Sequence, residues 1–284
     1  MCIRDRFPTD HLSILFGAGD TLKSYLALCV LVAMAEQGIK GLYCDWELVK
    51  EDHRERLAAL CGPTMPEAIR YAHCDRPLVH EVDRLRRIIR ADEIRYVVLD
   101  SVAYGTLGDP AEAAAAMDFC RAVGQFGVGA LAIAHITKTG DQNDQMPYGS
   151  VFWHNSARMT YNVKRSDAVD DSGEVSLACF NRKSNLGARQ GAVGLRVTFA
   201  DDRVTFTGID VATIDDMTAM LPLWQRIRHV VKRGPLPLHA IARELNYDNV
   251  DSLDRVVRRH KGVFTKINGA DGVQQIALLD RRSA

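Results

Sequence analysis

From His11 onward, short runs of apolar residues alternate with segments of helical period. The apolar runs predict buried strands, which in the first half of the chain cover residues 12–16, 41–44, 95–99 and 130–134. The segments between them predict helices over about 22–37, 50–60, 81–90 and 110–123, the last opened by an Asp-Pro start signal. Strands and helices that alternate at this spacing indicate an α/β domain with a parallel sheet covered on both faces.

After Ser150 the pattern changes to alternating apolar and polar residues. Residues 159–163, 174–180, 193–199 and 203–206 predict half-exposed antiparallel strands, so the parallel sheet is expected to carry an antiparallel extension. Residues 211–217 are interpreted as a linker. We therefore expect one α/β domain over residues 7–210.

The last part of the chain has a third pattern. Helical stretches at 223–232, 238–245 and 252–259 precede two short strands, 263–267 and 274–278, which meet at an Asn-Gly turn. Three short helices followed by a hairpin are typical of a winged helix-turn-helix, predicted here as a domain of residues 218–284.

Composition narrows the class of protein. The 284 residues are 47% apolar and 25% charged, as in ordinary globular proteins. The longest apolar run covers residues 25–35, well short of the ~20 residues that a membrane helix needs. Seven scattered cysteines without a C-x-x-C pair argue against a disulfide framework or a zinc ribbon, and favour a reducing, cytoplasmic compartment.

The charge is unevenly distributed. The chain has 36 basic and 36 acidic residues, but the segment from Thr218 onward carries a net charge of +6 and the rest −6. Such a basic segment indicates an appendage that could bind nucleic acid, although a solvated basic face is the alternative. Residues 1–6, Met-Cys-Ile-Arg-Asp-Arg, resemble a translated transposon end from a sequencing library and are interpreted as a scar outside the fold.

A glycine-rich segment joins the first strand to the first helix. In order, its residues are Gly17, Ala18, Gly19, Asp20, Thr21, Leu22, Lys23 and Ser24. They match G-x-x-x-x-G-K-[ST], except that Leu22 stands at the second glycine. In such a loop, backbone N–H groups wrap the phosphates of ATP, the lysine reaches the β and γ oxygens, and the serine binds Mg²⁺. The alternative is a chance glycine-rich turn.

Two carboxylates follow buried strands. Asp100 comes directly after the strand at 95–99, where it can hold Mg²⁺ at the carboxyl edge of the sheet. Glu47 follows the second strand and can deprotonate the attacking water. The alternatives are a cap before Ser101 for Asp100 and an exposed helix-turn acid for Glu47, with Asp45 as a competing base.

In this order, the motifs resemble those of the RecA-type ATPase core. They are the glycine-rich loop, Asp-Trp-Glu at 45–47, Val-Val-Leu-Asp-Ser-Val-Ala at 97–103, and a strand that ends in His-Ile-Thr-Lys at 135–138. Within that group they resemble the RepA-like and DnaB-like hexameric helicases of plasmids and phages. The resemblance covers about residues 11–200 and implies a homo-oligomeric, hexameric ring that binds DNA.

The resemblance also implies further site residues. His135 matches the polar residue that senses the γ-phosphate, and Arg158 matches an arginine offered across the subunit interface. Lys183 matches the lysine of the K-x-R finger, but Asn185 replaces its arginine, so Arg158 is the preferred finger. An ordinary histidine at a strand end and an ordinary arginine at a strand start are the alternatives. The loop at 140–147 should face a DNA channel, yet it carries two aspartates, which puts translocation in doubt.

In the C-terminal segment, residues 252–261 are predicted as the recognition helix. Its apolar residues at 253, 256 and 257 would face inward, and the residues predicted to contact DNA are Arg255, Arg258, Arg259 and, in the wing, Lys266. Arginines on such a helix can bind phosphates or guanine edges. A protein-interaction or lid module is the alternative.

The sequence thus predicts a Mg-ATP-dependent motor, ring-forming and helicase-like, that acts in plasmid or phage DNA replication. An ATP-gated DNA-binding regulatory protein, with slow hydrolysis caused by Asp20 and Leu22, is the second hypothesis. A filament-forming recombinase or strand-annealing ATPase is the third.

Overall fold

A computed structural model describes residues 6–62, 64–136, 146–167, 173–269 and 272–279. The chain divides into two compact units, Met1–Ile209 and Asp210–Ala284. In chain order, the elements of the first unit are β1 (Leu12–Gly17), α1 (Lys23–Ala35), β2 (Gly41–Asp45), α2 (Lys50–Cys61), β3 (Ile69–His73), α3 (Leu78–Ala91), β4 (Tyr96–Asp100), α4 (Val102–Gly105), α5 (Ala113–Gly124), β5 (Gly129–His135), α6 (Val151–Ser156), β6 (Met159–Arg165), β7 (Glu174–Ser184), β8 (Val193–Phe199) and β9 (Val204–Ile209).

In the part of the first unit that the structure describes, the strands form one nine-stranded sheet, in the order β3-β2-β4-β5-β1-β6-β7-β8-β9. The strands from β3 through β6 are parallel, and β7, β8 and β9 continue the sheet in antiparallel pairing. All five residues of β2 and of β4 are buried, because helices cover both faces of the parallel part. This α/β sheet with an antiparallel extension confirms the predicted fold class for the first unit.

Apolar side chains pack on the two faces of the sheet in separate clusters. Phe16 of β1 packs with Leu85 of α3 and Phe119 of α5, whereas its chain neighbour Leu15 packs with Leu31 of α1. Successive strand residues point to opposite faces, so one strand supplies both clusters. β1, the strand that leads into the glycine-rich loop, is therefore packed against helices on both faces.

Several predicted elements differ in the structure. The prediction missed β3, an edge strand with only one fully buried residue, which therefore lacks a strong apolar run. β6, predicted as antiparallel, pairs in parallel with β1 on one side and antiparallel with β7 on the other. α5 begins at Ala113 rather than at the predicted proline, because Asp109 first forms a turn by accepting from the backbone N–H of Ala111.

Over its described residues, the second unit has five helical segments and a hairpin. They are a 3₁₀ turn (Val211–Thr213), α7 (Asp215–Thr218), α8 (Leu223–Val231), α9 (Leu238–Glu244), α10 (Val250–Arg259), β10 (Phe264–Asn268) and β11 (Gln274–Leu278). The predicted linker at 211–217 is therefore helical and belongs to this unit. Leu236 also forms an antiparallel bridge with Ile276, which extends the hairpin by one short segment that the sequence did not indicate.

Of the described helices, none combines the length and the apolar character that crossing a bilayer requires. The described cysteines at 29, 44, 61, 74, 120 and 179 are free thiols.

Candidate active site

The glycine-rich loop leaves the sheet where β1 and β6 lie side by side. Gly17 is the last residue of β1, and a Cβ placed on it would lie 2.5 Å from the carbonyl oxygen of Val163. Asp20 and Leu22 both have left-handed backbones, with φ of 60° and 55°. That conformation favours glycine, which explains why the motif has a glycine where this chain has Leu22. Leu22 adopts this backbone conformation at a cost in strain that a glycine would not have.

Lys23 begins α1 and folds back over the loop. Its Nζ donates to the carbonyl oxygens of Ala18 at 2.6 Å and of Gly17 at 3.2 Å, and lies 3.3 Å from the hydroxyl of Thr21. Burial lowers the pKa of Lys23, an effect that the nearby carboxylates oppose. The ammonium group thus lies at the centre of the loop, where it can bind an anion.

Ser24 and Asp100 meet beneath this lysine. The hydroxyl of Ser24 hydrogen-bonds the Asp100 carboxylate, which also accepts from the Tyr43 hydroxyl at 2.6 Å. Burial raises the pKa of Asp100, and these two hydrogen bonds hold the rise back. A half-buried serine hydroxyl beside a buried carboxylate is the oxygen set by which P-loop proteins hold Mg²⁺ next to phosphates, so the residues present fit that ion.

Glu47 and Asp45 have different surroundings. The Glu47 carboxylate accepts from the Ser101 hydroxyl at 2.5 Å and faces the cavity beside the loop. Asp45 is buried and accepts from the backbone N–H groups of Glu47 at 3.2 Å and Leu48 at 2.9 Å. Its Oδ2 also lies 2.9 Å from Nε2 of His53. Asp45 therefore shapes the turn that presents Glu47, and Glu47 is the carboxylate available to a ligand.

These side chains surround one cavity of about 260 Å³. Besides the loop, Glu47 and Asp100, its lining includes His135 at the end of β5, and Arg56 and Tyr25. The Arg56 guanidinium lies over the Tyr25 ring, 5.2 Å from its centroid. Both residues also line a neighbouring cavity of about 700 Å³ between α2 and the turn from β8 to β9. The smaller cavity suits a polyphosphate, and the larger one offers room beside it.

Arg158 and Lys183 lie together at the end of β6 that is opposite the glycine-rich loop. Arg158 precedes β6, and its backbone N–H donates to the carbonyl of Leu12, at the start of β1. Lys183 Nζ donates to the carbonyl oxygens of His154 and Asn155, at 2.8 and 2.7 Å. Burial and the charge of Arg158 lower the pKa of Lys183. Neither cation therefore reaches the loop of its own chain.

The predicted DNA-contacting residues all project from one part of the second unit. Arg255, Arg258 and Arg259 are exposed on α10, while Leu253 and Val257 of the same helix are buried. Arg258 pairs with Asp254, whose other oxygen lies 2.8 Å from Nζ of Lys266 in β10. One aspartate thus binds two of the four predicted cations.

Several residues of the site were not anticipated. Tyr43, Ser101, Arg56 and Arg165 contact or line it, yet none belongs to a spaced motif. Ser101 could have been found from its position after Asp100, but the others reach the site through strand pairing and helix packing. Most of the predicted channel loop, 140–147, and all but Arg6 of the predicted scar lie outside the described residues. Arg6 itself donates to the carbonyl of Gly191.

The fold and the arrangement of this site are similar to those of P-loop ATPases of the RecA type. In agreement, residues 2–141 match a family described as an AAA domain. Among curated proteins, none matches the chain.

Solved structures share the fold at low sequence identity. The flagellar accessory protein FlaH from Methanocaldococcus jannaschii is 14% identical, with a TM-score of 0.55 over 73% of this chain and 95% of FlaH. A KaiC-like protein from the archaeon Pyrococcus horikoshii OT3 is also 14% identical, with a TM-score of 0.53 over 71% of this chain and 91% of its own. The ATPase domain of another protein gives a TM-score of 0.54 at 14% identity, over 70% and 85% of the two chains. At this identity the likeness concerns the fold alone.

Proposed function

We propose that the protein is a cytoplasmic Mg-ATP hydrolase that works as a homo-oligomeric, ring-forming DNA motor of the helicase type in plasmid or phage replication. The observation that carries the proposal is the convergence of Lys23, Asp100 and Glu47 on one cavity, while Arg158 lies at the end of β6 opposite the glycine-rich loop. Lys23 would bind the phosphates, Asp100 would hold Mg²⁺ and Glu47 would act as the base, and all three line one cavity. The arginine that phosphoryl transfer also needs, Arg158, faces away from that cavity. This arrangement suits a catalytic interface between identical subunits.

Within one subunit, the loop would bind the phosphates. The Lys23 ammonium would exchange its carbonyl partners for β and γ oxygens, and the backbone N–H groups at the start of α1 would bind the rest of the polyphosphate. Mg²⁺ held by Ser24 and Asp100 would neutralise charge on the phosphates. The nucleoside would extend past Tyr25 and Arg56 into the larger neighbouring cavity, since the smaller one holds little more than the phosphates.

Glu47 would act as the general base. Its second carboxylate oxygen can take the proton of a water molecule aimed at the γ-phosphate, while Ser101 holds the first oxygen in place. His135, at the end of β5, would contact the γ-phosphate and couple its binding to the loop that follows.

Arg158 would serve a neighbouring subunit. It lies five positions before Val163, the register partner of Gly17, and at ~3.3 Å per strand residue this is roughly 17 Å. An arginine side chain cannot span that distance, so Arg158 would act on the ATP of the next copy, with Lys183 beside it.

Mixed assemblies test this arrangement. Arg158→Ala and Glu47→Gln should each hydrolyse ATP poorly, but a mixture should regain activity, because some interfaces then combine an intact Glu47 with an intact Arg158. Arg121→Ala, which removes an exposed arginine of α5, is the control and should keep full activity. Failure of every mixing ratio to restore turnover would argue against a catalytic interface.

The C-terminal unit would be a winged helix-turn-helix that binds DNA. The three helices α8, α9 and α10 and the extended hairpin, with arginines exposed on α10, support this proposal. In the full chain, duplex DNA affinity should fall with salt by a log–log slope of about −0.9 per neutralised phosphate. Alanine at Arg255, Arg258 and Arg259 should flatten the slope by about two to three units and leave DNA-independent ATPase activity unchanged.

The pairing of Asp254 with Arg258 and Lys266 favours a second candidate, an ATP-gated regulatory protein whose C-terminal unit docks another protein. Two of the cations are then already neutralised inside the chain. Absence of DNA binding at low salt would support this candidate. Size-exclusion chromatography with ATP and single-stranded DNA would distinguish a ring from the filament of a recombinase-like or strand-annealing ATPase.

A further inference from the structure

The phosphate loop carries a negative charge of its own. Asp20 lies between Gly19 and Thr21 in the cavity lining, and its side chain is 80% exposed. Its charge acts on Lys23 at the centre of the site. Asp20 is one of the carboxylates that oppose the lowering of the Lys23 pKa by burial. An anion at this position repels a polyphosphate, so a loop with this residue needs compensation from elsewhere.

Arg165 supplies a positive charge at this point. Its Nη1 lies 2.5 Å from Oδ2 of Asp20 and 3.3 Å from the Asp20 carbonyl oxygen. One guanidinium nitrogen therefore contacts both the side chain and the backbone of a residue whose φ is 60°. The contact joins residues 145 positions apart in the chain, so only the fold creates it.

The strand pairing explains how Arg165 reaches the loop. β6 lies beside β1 in parallel register, with Val163 opposite Gly17, and Arg165 is the last residue of β6, two positions further on. The close approach of Val163 to Gly17 leaves no room for a side chain between the two strands. The end of β6 is thus fixed against the start of the loop, and Arg165 extends from it directly to Asp20.

We propose that Arg165 is a positioning residue of the nucleotide site, which cancels the charge of Asp20 and holds the loop open to the triphosphate. The inference rests on the proposed ATPase function and goes beyond it, because Arg165 belongs to no phosphate-binding motif. The pair is exposed and would add little to stability, so its consequence is expected in nucleotide affinity.

A double-mutant cycle in the full chain tests the proposal. Arg165→Ala should weaken the binding of a fluorescent ATP analogue about tenfold at low salt, because the Asp20 charge is then uncompensated. The loss should shrink at ~0.5 M salt, where the charge is screened. Arg165→Ala combined with Asp20→Asn should bind within about twofold of Asp20→Asn alone, because no charge remains to be cancelled.

Two controls separate this role from a merely structural one. Arg196→Ala removes an arginine of the same sheet that pairs with Glu174, and should leave nucleotide affinity unchanged. Melting temperatures should agree among all variants within a few degrees, since exposed pairs contribute little.

The possible outcomes are distinct. Weak binding that Asp20→Asn fails to restore would overturn the proposal, as would an unchanged affinity in Arg165→Ala. If the unmodified protein bound no nucleotide, and Lys23→Ala made no difference, the proposed function would fail and this inference with it. Tight binding by the unmodified protein that Lys23→Ala abolishes, with Arg165→Ala as tight as before, would overturn this inference alone.

Discussion

Replacement of Glu47 by glutamine removes a base and keeps almost the same shape. The Ser101 hydroxyl donates to Oε1 of Glu47, and a glutamine carbonyl oxygen can accept that hydrogen bond in the same place. The turn that carries Glu47 is organised by Asp45, which is unaffected by the change. The substitution should therefore alter the chemistry of the site and leave its geometry intact.

The expected effect is large in rate and small in binding. Loss of a general base lowers kcat by ~10²-fold or more, which corresponds to about 2.7 kcal/mol in the activation barrier. Lys23, Ser24 and the loop, which would hold the phosphates, are unchanged, so affinity for Mg-ATP should stay within about threefold of the unmodified protein.

The assay combines phosphate release under saturating Mg-ATP, equilibrium binding of a fluorescent ATP analogue, and thermal unfolding. Asp45→Asn is the matched control, because it neutralises the other carboxylate of the same turn. Asp45 is buried and bound to two backbone N–H groups and His53, so its change should cost about 3 kcal/mol and lower the melting temperature by about 6–12 °C.

Retention of most of the turnover by Glu47→Gln would refute the assignment of Glu47 as the base. Equal losses of binding and turnover would instead make Glu47 a structural residue. If Asp45→Asn kept its melting temperature and lost only kcat, Asp45 would be the base and Glu47 would have the structural role.

Three further perturbations test other parts of the molecule. Gly17→Ala places a Cβ 2.5 Å from the Val163 carbonyl, so β1 and β6 must separate; we expect a lower melting temperature and loss of nucleotide binding in calorimetry. The buried carboxyl of Glu81 has a pKa lowered by two arginines against the effect of its burial, so it stabilises the fold above its ordinary pKa and loses that contribution as pH falls through the lowered value. Melting curves should thus show that Glu81→Gln is destabilised at pH 7 and approaches the unmodified protein toward pH 3; a constant difference would contradict this. Asp254→Asn should release Arg258 and its neighbouring lysine and raise DNA affinity in a low-salt titration, whereas no change would indicate that these cations do not face DNA.

Local patterns determined much of this protein. Apolar runs and helical periods located the strands and helices of the parallel sheet, because burial on both faces of a strand leaves a continuous apolar segment in the sequence. The loop from Gly17 to Ser24 and the carboxylates of Glu47 and Asp100 could be found for a similar reason. Each lies at or just beyond the end of a predicted strand, and the carboxyl ends of parallel strands meet at one end of the sheet.

The tertiary structure decided what spacing does not encode. It separated Glu47 from Asp45 by burial, although the two are only two positions apart in the chain. It placed Arg158 at the end of β6 opposite the glycine-rich loop, and it brought Arg165 to Asp20 across 145 positions. These relations depend on which strands pair and in what register. Pairing is settled by the packing of the whole domain, so a single stretch of sequence carries no record of it.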